Sequence, residues 1–88
     1  MSIETNSEIL NRVRKVIADY AELGANVDSL AIDEDLFAKG MSSRASVGVM
    51  LGLESEFDIE FPDAMLRRDV FESMLSISTA IESLKASH

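Results

Sequence analysis

The sequence predicts an all-α fold, a small irregular four-helix bundle with a long loop between its first two helices. Three observations lead there. Apolar residues recur at helical period in the first quarter of the chain, in its centre and again near its end. No stretch alternates apolar and polar residues as a half-buried strand would. The separating segments carry helix-start and helix-stop residues, among them the single proline, Pro62. With 88 residues, 47% of them apolar, the chain suits one domain spanning 1–88 with its own core.

The first helix is predicted over 6–21. Thr5-Asn6-Ser7-Glu8 reads as a capping box, with Thr5 as N-cap and Glu8 reaching back. Ile9, Leu10, Val13, Val16, Ile17 and Tyr20 form its inward face, and Asn11, Arg12, Arg14, Lys15 and Asp19 its solvent face. Residues 22–42 make a long connection. Gly24, Asn26, Asp28 and Ser29 are turn formers, and Leu30, Ile32, Leu36 and Phe37 are apolar enough to pin the loop to the bundle. One helical turn over 33–38 would end at Gly40 in a left-handed conformation. A connection this long in a small domain is expected to have a function.

The second helix is predicted over 43–57, with Ser42 or Ser43 as its N-cap. It is too apolar for one buried face. Val49, Met50, Leu53 and Phe57 form a core stripe. Val47 and Leu51 form another about half a turn away, flanked by Arg44 and Glu54. That second stripe either packs under the loop or stays exposed as a docking surface, apolar at its middle and charged at its rim. Pro62 suits the first turn of a short third helix over 62–68, with Met65 and Leu66 inward, and Val70 and Phe71 continue the core. Ser73 can cap a last helix over 74–85, carrying Leu75 or Ile77, then Ile81 and Leu84, inward.

Composition removes most function classes. Sixteen acidic residues against eight basic ones give a formal net charge of −8, with no basic stripe. Nucleic acid and anionic membranes are therefore poor partners, and basic protein surfaces are good ones. Without cysteine there is no disulfide, thiolate metal site or cysteine nucleophile. The only histidine, His88, stands at the chain's end, where a buried Ser-His-Asp arrangement is not expected. Asp33, Glu34 and Asp35 lack the spacing of a calcium loop, and Glu54 and Asp58 read as solvated charge. No metal site and no catalytic constellation is expected, so the chain reads as a non-enzyme. The first ten residues have no secretory pattern, and no apolar run could span a membrane, so a cytoplasmic location is expected.

The run "DLFAKGMSSRASVGVMLGLESEFDIEFPD", residues 35–63, resembles the centre of an acyl or peptidyl carrier protein. That family has an Asp-Leu/Phe step, then glycine, an apolar residue, usually aspartate, and a serine opening the second helix. Here these are Asp35-Leu36-Phe37 and Gly40-Met41-Ser42-Ser43, followed by Glu56-Phe57-Asp58 and Phe61-Pro62. The resemblance extends over most of the chain and implies an acyl-carrier-protein-like bundle. It implies a serine that bears 4′-phosphopantetheine through a phosphodiester, an acyl or aminoacyl thioester on the arm's thiol, and a phosphopantetheinyl transferase and a loading ligase or synthase as partners. The sulfur missing from this chain would then be imported.

On this resemblance Ser43 is the expected attachment residue, ahead of its neighbour Ser42. Ser29, in the Asp-Ser-Leu triplet of residues 28–30, opens no helix and lies too far from Glu56-Phe57-Asp58. Ser42 stands where the family usually has aspartate, and Arg44 where it usually has an apolar residue; both departures suggest a specialised carrier. "GMSS", the following "ASV" and "FDIEFPD" resemble, more narrowly, small bacterial aminoacyl carriers served by ligases related to class II seryl-tRNA synthetases. For that setting Arg44, Val47, Leu51 and Glu54 are the expected docking residues, on a chain that is a monomer by itself. The alternatives are a specialised acyl carrier for fatty acid, lipid or polyketide synthesis, and an unmodified acidic interaction module in which "GMSS" only caps a helix.

Overall fold

The computed structural model describes residues 6–23 and 27–86; the expected Thr5 cap, the Gly24 and Asn26 turn and His88 lie outside them. The described residues form helices α1 (Asn6–Tyr20), α2 (Ser43–Phe57), α3 (Arg68–Phe71) and α4 (Met74–Ala86), with 3-10 turns at Val27–Ser29 and Asp63–Met65. No strand occurs among them. Helix α1 packs against both α2 and α4, and α3 against α4.

The core follows the apolar periodicity closely. Val13 and Ile17 of α1, Val49 and Leu53 of α2, and Met74, Ile77 and Ile81 of α4 are fully buried, as is Leu36 from the loop. Of the two candidates on α4, Ile77 turns inward and Leu75 outward; Leu84 is only half-buried. Tyr20 departs from its expected place on the inward face, remaining 46% exposed. Its ring approaches α2 instead, where Gly52 leaves room: a Cβ at Gly52 would sit 2.6 Å from a Tyr20 ring carbon. Glycine there sets how closely the two helices approach.

Period alone puts Arg12 on the solvent face of α1, but it reaches across to the C-terminal end of α2. Its guanidinium donates to the Glu56 carboxylate at 2.9 Å and the Glu56 carbonyl at 2.6 Å, and lies 4.3 Å from the centre of the Phe57 ring. A cation at that end satisfies a terminal carbonyl and complements the helix dipole. Both partners are about one-third exposed, so solvent weakens the pair. Arg12→Ala is expected to lower stability by about 1–2 kcal/mol. Chemical denaturation checks this, and a change within error would reduce the contact to a surface ornament.

The long loop is tied down rather than free. Leu36 N–H donates to the Glu72 carbonyl, and Leu75 N–H to the Ile32 carbonyl, which stitches the loop to the junction before α4. Arg14 holds its other end through the carbonyls of Val27 and Leu30. The Ala31 N–H, and then Lys39, hold the Glu34 carboxyl below its ordinary range. Asp35 accepts from the N–H groups of Phe37 and Ala38, closing a turn over 35–39. Gly40 ends that turn at φ +115°, a region that side chains disfavour. Met41 then drops into the core and starts the approach to α2.

Between α2 and α4 the expected third helix over 62–68 is broken in two. Pro62 precedes the first 3-10 residue rather than standing in a helical turn, and α3 starts only at Arg68. A backbone of φ −130° and ψ 153° at Arg67 separates the pieces. Met65 is half-buried, and Leu66, expected inward, is 46% exposed. Phe61 and Phe71 close the core behind it, edge to face at 5.2 Å.

Candidate functional site at the start of helix α2

The stretch "GMSS" resolves into distinct roles. Ser42 is the N-cap of α2: its backbone is extended, and its Oγ accepts from the Ala45 N–H at 3.0 Å. Ser43 is the first helical residue and is exposed. Its carbonyl accepts from the Ser46 hydroxyl at 2.6 Å. Arg44, next to it, is also exposed. In the first turn of a helix the leading N–H groups have no intrahelical acceptor, and they carry partial positive charge. Ser43 therefore offers a reachable hydroxyl at a point suited to an anion.

Because Ser42 takes the capping work, its loss should be felt in the fold more than in the chemistry. Ser42→Ala is expected to cost about 1 kcal/mol of stability, because the Ala45 N–H loses its acceptor, while α2 still forms. Chemical denaturation and circular dichroism check this. A stability change within error would mean that Ser42 does no capping work.

Beside Ser43 lies a groove of about 340 Å³ between α2, the loop and the α3 segment. Its walls are apolar, from Phe37, Val47, Met50, Leu66 and Phe71, and its polar lining is Ser43, Ser46, Arg67 and Arg68. This explains two departures from expectation. Met50, assigned to the core stripe, is half-buried because it forms a wall of the groove, and Leu66 faces the groove instead of the core. Arg68 stacks on the Phe37 ring at 4.2 Å and so joins α3 to the loop. Arg67 pairs with Asp69 through two hydrogen bonds of 3.0 and 2.8 Å. The hydrogen bond from Arg67 holds the Asp69 carboxyl below its ordinary range, and the same bond holds the Arg67 guanidinium above its own.

The second stripe of α2 is open to solvent. Val47 is 53% and Leu51 55% exposed, so neither packs under the loop. Glu54 differs from its neighbours. It is half-buried, and its carboxylate accepts from the Phe61 N–H at 2.9 Å, which holds the chain as it leaves the helix. The reading of Glu54 as merely solvated charge gives way to this structural bond; Asp58 is exposed and ends α2 in a left-handed conformation. Ser29 lies in a 3-10 turn of three residues, away from any helix start. Among the described residues no cluster of side chains could hold a metal ion.

Residues 11–80 match the phosphopantetheine attachment site family, so the match takes in the exposed serine, the helix it opens and the groove beside it. The chain belongs to that family. It is a phosphopantetheine-dependent carrier protein, and its cofactor is a covalently attached 4′-phosphopantetheine. The unmodified interaction module is thereby set aside. The carrier is 44% identical over 70 residues to the aminoacyl carrier protein of Agrobacterium fabrum, covering 80% of this chain and 84% of that one. It is 36% identical over 55 residues to the D-alanyl carrier protein of Lactobacillus acidophilus, covering 61% and 70%. Among solved structures it is similar to a chain in the crystal structure of an engineered Bradyrhizobium japonicum glycine:[carrier protein] ligase complexed with the carrier protein from Agrobacterium tumefaciens and AMP. The TM-score is 0.81 at 42% identity, covering 83% of this chain and 97% of that one.

The sequence places Ser43 at the start of α2 and leaves the Val47–Leu51 stripe either under the loop or exposed, and the structure leaves it exposed. The sequence does not reveal the groove or place the arginines beside it. A faint signal existed, since Arg67-Arg68 is an uninterrupted basic pair in an acid-rich chain. Nothing local connects that pair to Ser43, more than twenty residues earlier.

Proposed function

We propose that this carrier holds an amino acid as a thioester on an arm attached to Ser43, and that an amino acid:carrier protein ligase loads it. The observation that carries the reading is the position of Ser43, an exposed hydroxyl at the first position of α2, opening onto the groove. The arm supplies the terminal thiol that this cysteine-free chain lacks. The chain's own residues do the rest. Ser42 fixes the helix start, so that Ser43 stands clear for a phosphopantetheinyl transferase. The first-turn N–H groups and the Arg44 cation favour a phosphate there, the helix end alone by about 0.3–1 kcal/mol.

Arg44, Val47 and Leu51 form the docking surface for the ligase, with Glu54 at its rim. The ligase partner is suggested by the glycine:[carrier protein] ligase complex to which the chain is structurally similar. Net charge favours a basic partner surface over nucleic acid or an anionic membrane. No described helix is long and apolar enough to cross a membrane. A non-enzymatic, cytoplasmic, monomeric carrier of one domain, 1–88, fits these observations.

One observation favours a second reading: the groove beside Ser43 is apolar enough to suit an acyl cargo. Loading separates the two. The phosphopantetheine form, incubated with ATP, single amino acids and a ligase, should gain the mass of one amino acid. A gain seen only with fatty acids and an acyl ligase would replace the aminoacyl reading with the acyl one.

A further inference from the structure

The groove's charge differs from that of the whole molecule. The chain is strongly acidic, yet among the described residues no carboxylate lines the groove, and two guanidinium groups do. They are not equivalent. The charge of Arg67 is matched by Asp69 at 2.8 Å. Arg68 has no carboxylate partner among the described residues; its contact is the face of Phe37. The uncompensated positive charge of the groove therefore sits on Arg68.

A groove so built treats cargoes by charge. A neutral acyl group meets apolar walls and loses little on entering. An amino acid held by its carboxyl keeps a free α-amino group, which is an ammonium below a pH of about 7.7–8.0. To enter, that ammonium would give up its hydration and meet Arg68 with no carboxylate to pair with. Arg68 is exposed, so water screens the repulsion between the like charges, and the lost hydration of the ammonium is the larger cost. Apolar walls and the guanidinium thus both oppose the entry of a cargo that carries an ammonium, whereas the walls favour a neutral one.

We propose that Arg68 makes the groove beside Ser43 selective by charge: neutral groups on the arm can lodge in it, whereas a loaded amino acid is kept outside, open to the next partner. The proposal rests on the attachment at Ser43 argued above. It makes Arg68 a specificity-determining residue without contact to the reacting atoms.

The test uses the full chain, labelled for NMR, with the arm attached by a transferase. The arm ends in either an acetyl or a glycyl group through a hydrolysis-resistant amide, so the two cargoes are of similar size and differ in the ammonium. Intact mass and peptide mapping come first. No mass gain at Ser43 overturns the attachment reading, and this proposal with it.

With the arm in place at pH 6, the acetyl form should shift the signals of Met50, Leu66 and Phe71 away from their unmodified positions. The glycyl form should leave them near those positions. At pH 9, where the amine is neutral, the glycyl form should move towards the acetyl one. Arg68→Gln should let the glycyl group in at pH 6, and Arg68→Lys, which keeps the charge, should keep it out. Equal shifts for acetyl and glycyl in the native chain would overturn the proposal, as would no shift for either. A glycyl group still excluded from a folded Arg68→Gln protein would remove Arg68 from the explanation.

Discussion

Ser43→Ala is expected to abolish attachment of the arm completely while leaving the helical bundle in place. The hydroxyl oxygen is the atom that would form the phosphodiester, and alanine has no substitute for it. The fold should not notice the change. The Ser43 side chain is exposed, and the bond from the Ser46 hydroxyl runs to the Ser43 backbone carbonyl, which alanine retains. The cap of α2 belongs to Ser42, which is untouched. Alanine also has the best helix propensity, by about 0.5 kcal/mol over serine at an interior position, so stability should stay level or rise slightly. Co-expression with a phosphopantetheinyl transferase, followed by intact-mass measurement and circular dichroism, checks both halves. A folded Ser43→Ala protein that still gains the arm would place the attachment elsewhere, with Ser42 first in line.

Val47→Asp should reduce loading by a ligase roughly a hundredfold, corresponding to about 3 kcal/mol, because an unpaired carboxylate would be driven into the apolar middle of the proposed docking surface. The domain itself should tolerate it. Val47 is more than half exposed, and valine and aspartate have similar helix propensities, so the expected stability change is within about 0.5 kcal/mol. Val47 also lines the groove, so a second variant is needed to separate the two roles. Leu51 lies one turn further along the same stripe and outside the groove. Leu51→Asp should therefore weaken loading in the same way without moving the groove's NMR signals. Matched losses of loading and of melting temperature in Val47→Asp would mean that the stripe is a structural element after all.

The two halves of α2 show why some of this was legible and some was not. The start at Ser43 and the end at Phe57 came out of the sequence unchanged, because caps and apolar period are local properties that a single helix expresses alone. The environment of its side chains did not. Met50 shares a period with Val49 and Leu53, but it forms a groove wall because the segment after Pro62 does not continue as a helix over it. Leu66 and Tyr20 were misplaced for the same reason. Their exposure depends on a neighbour's shape: a broken third helix for one, and a glycine on the facing helix for the other.

Charged residues were the least legible. Arg12 and Glu54 both looked solvated, yet Arg12 closes the end of α2 and Glu54 holds the turn that follows it. Their long side chains reach partners 44 and 7 positions away, and no periodicity encodes that reach.

The sequence by itself determined the helices, the exposed serine that opens the second one, and the family to which the motif belongs, since each is written within a short run of residues. Only the tertiary structure decided the groove and its charge. Phe37, Val47 and Arg68 come from the loop, from α2 and from α3, and they meet only because the packing of α1 against α2 and α4, and the loop bonds at Leu36 and Leu75, bring those three segments to one place.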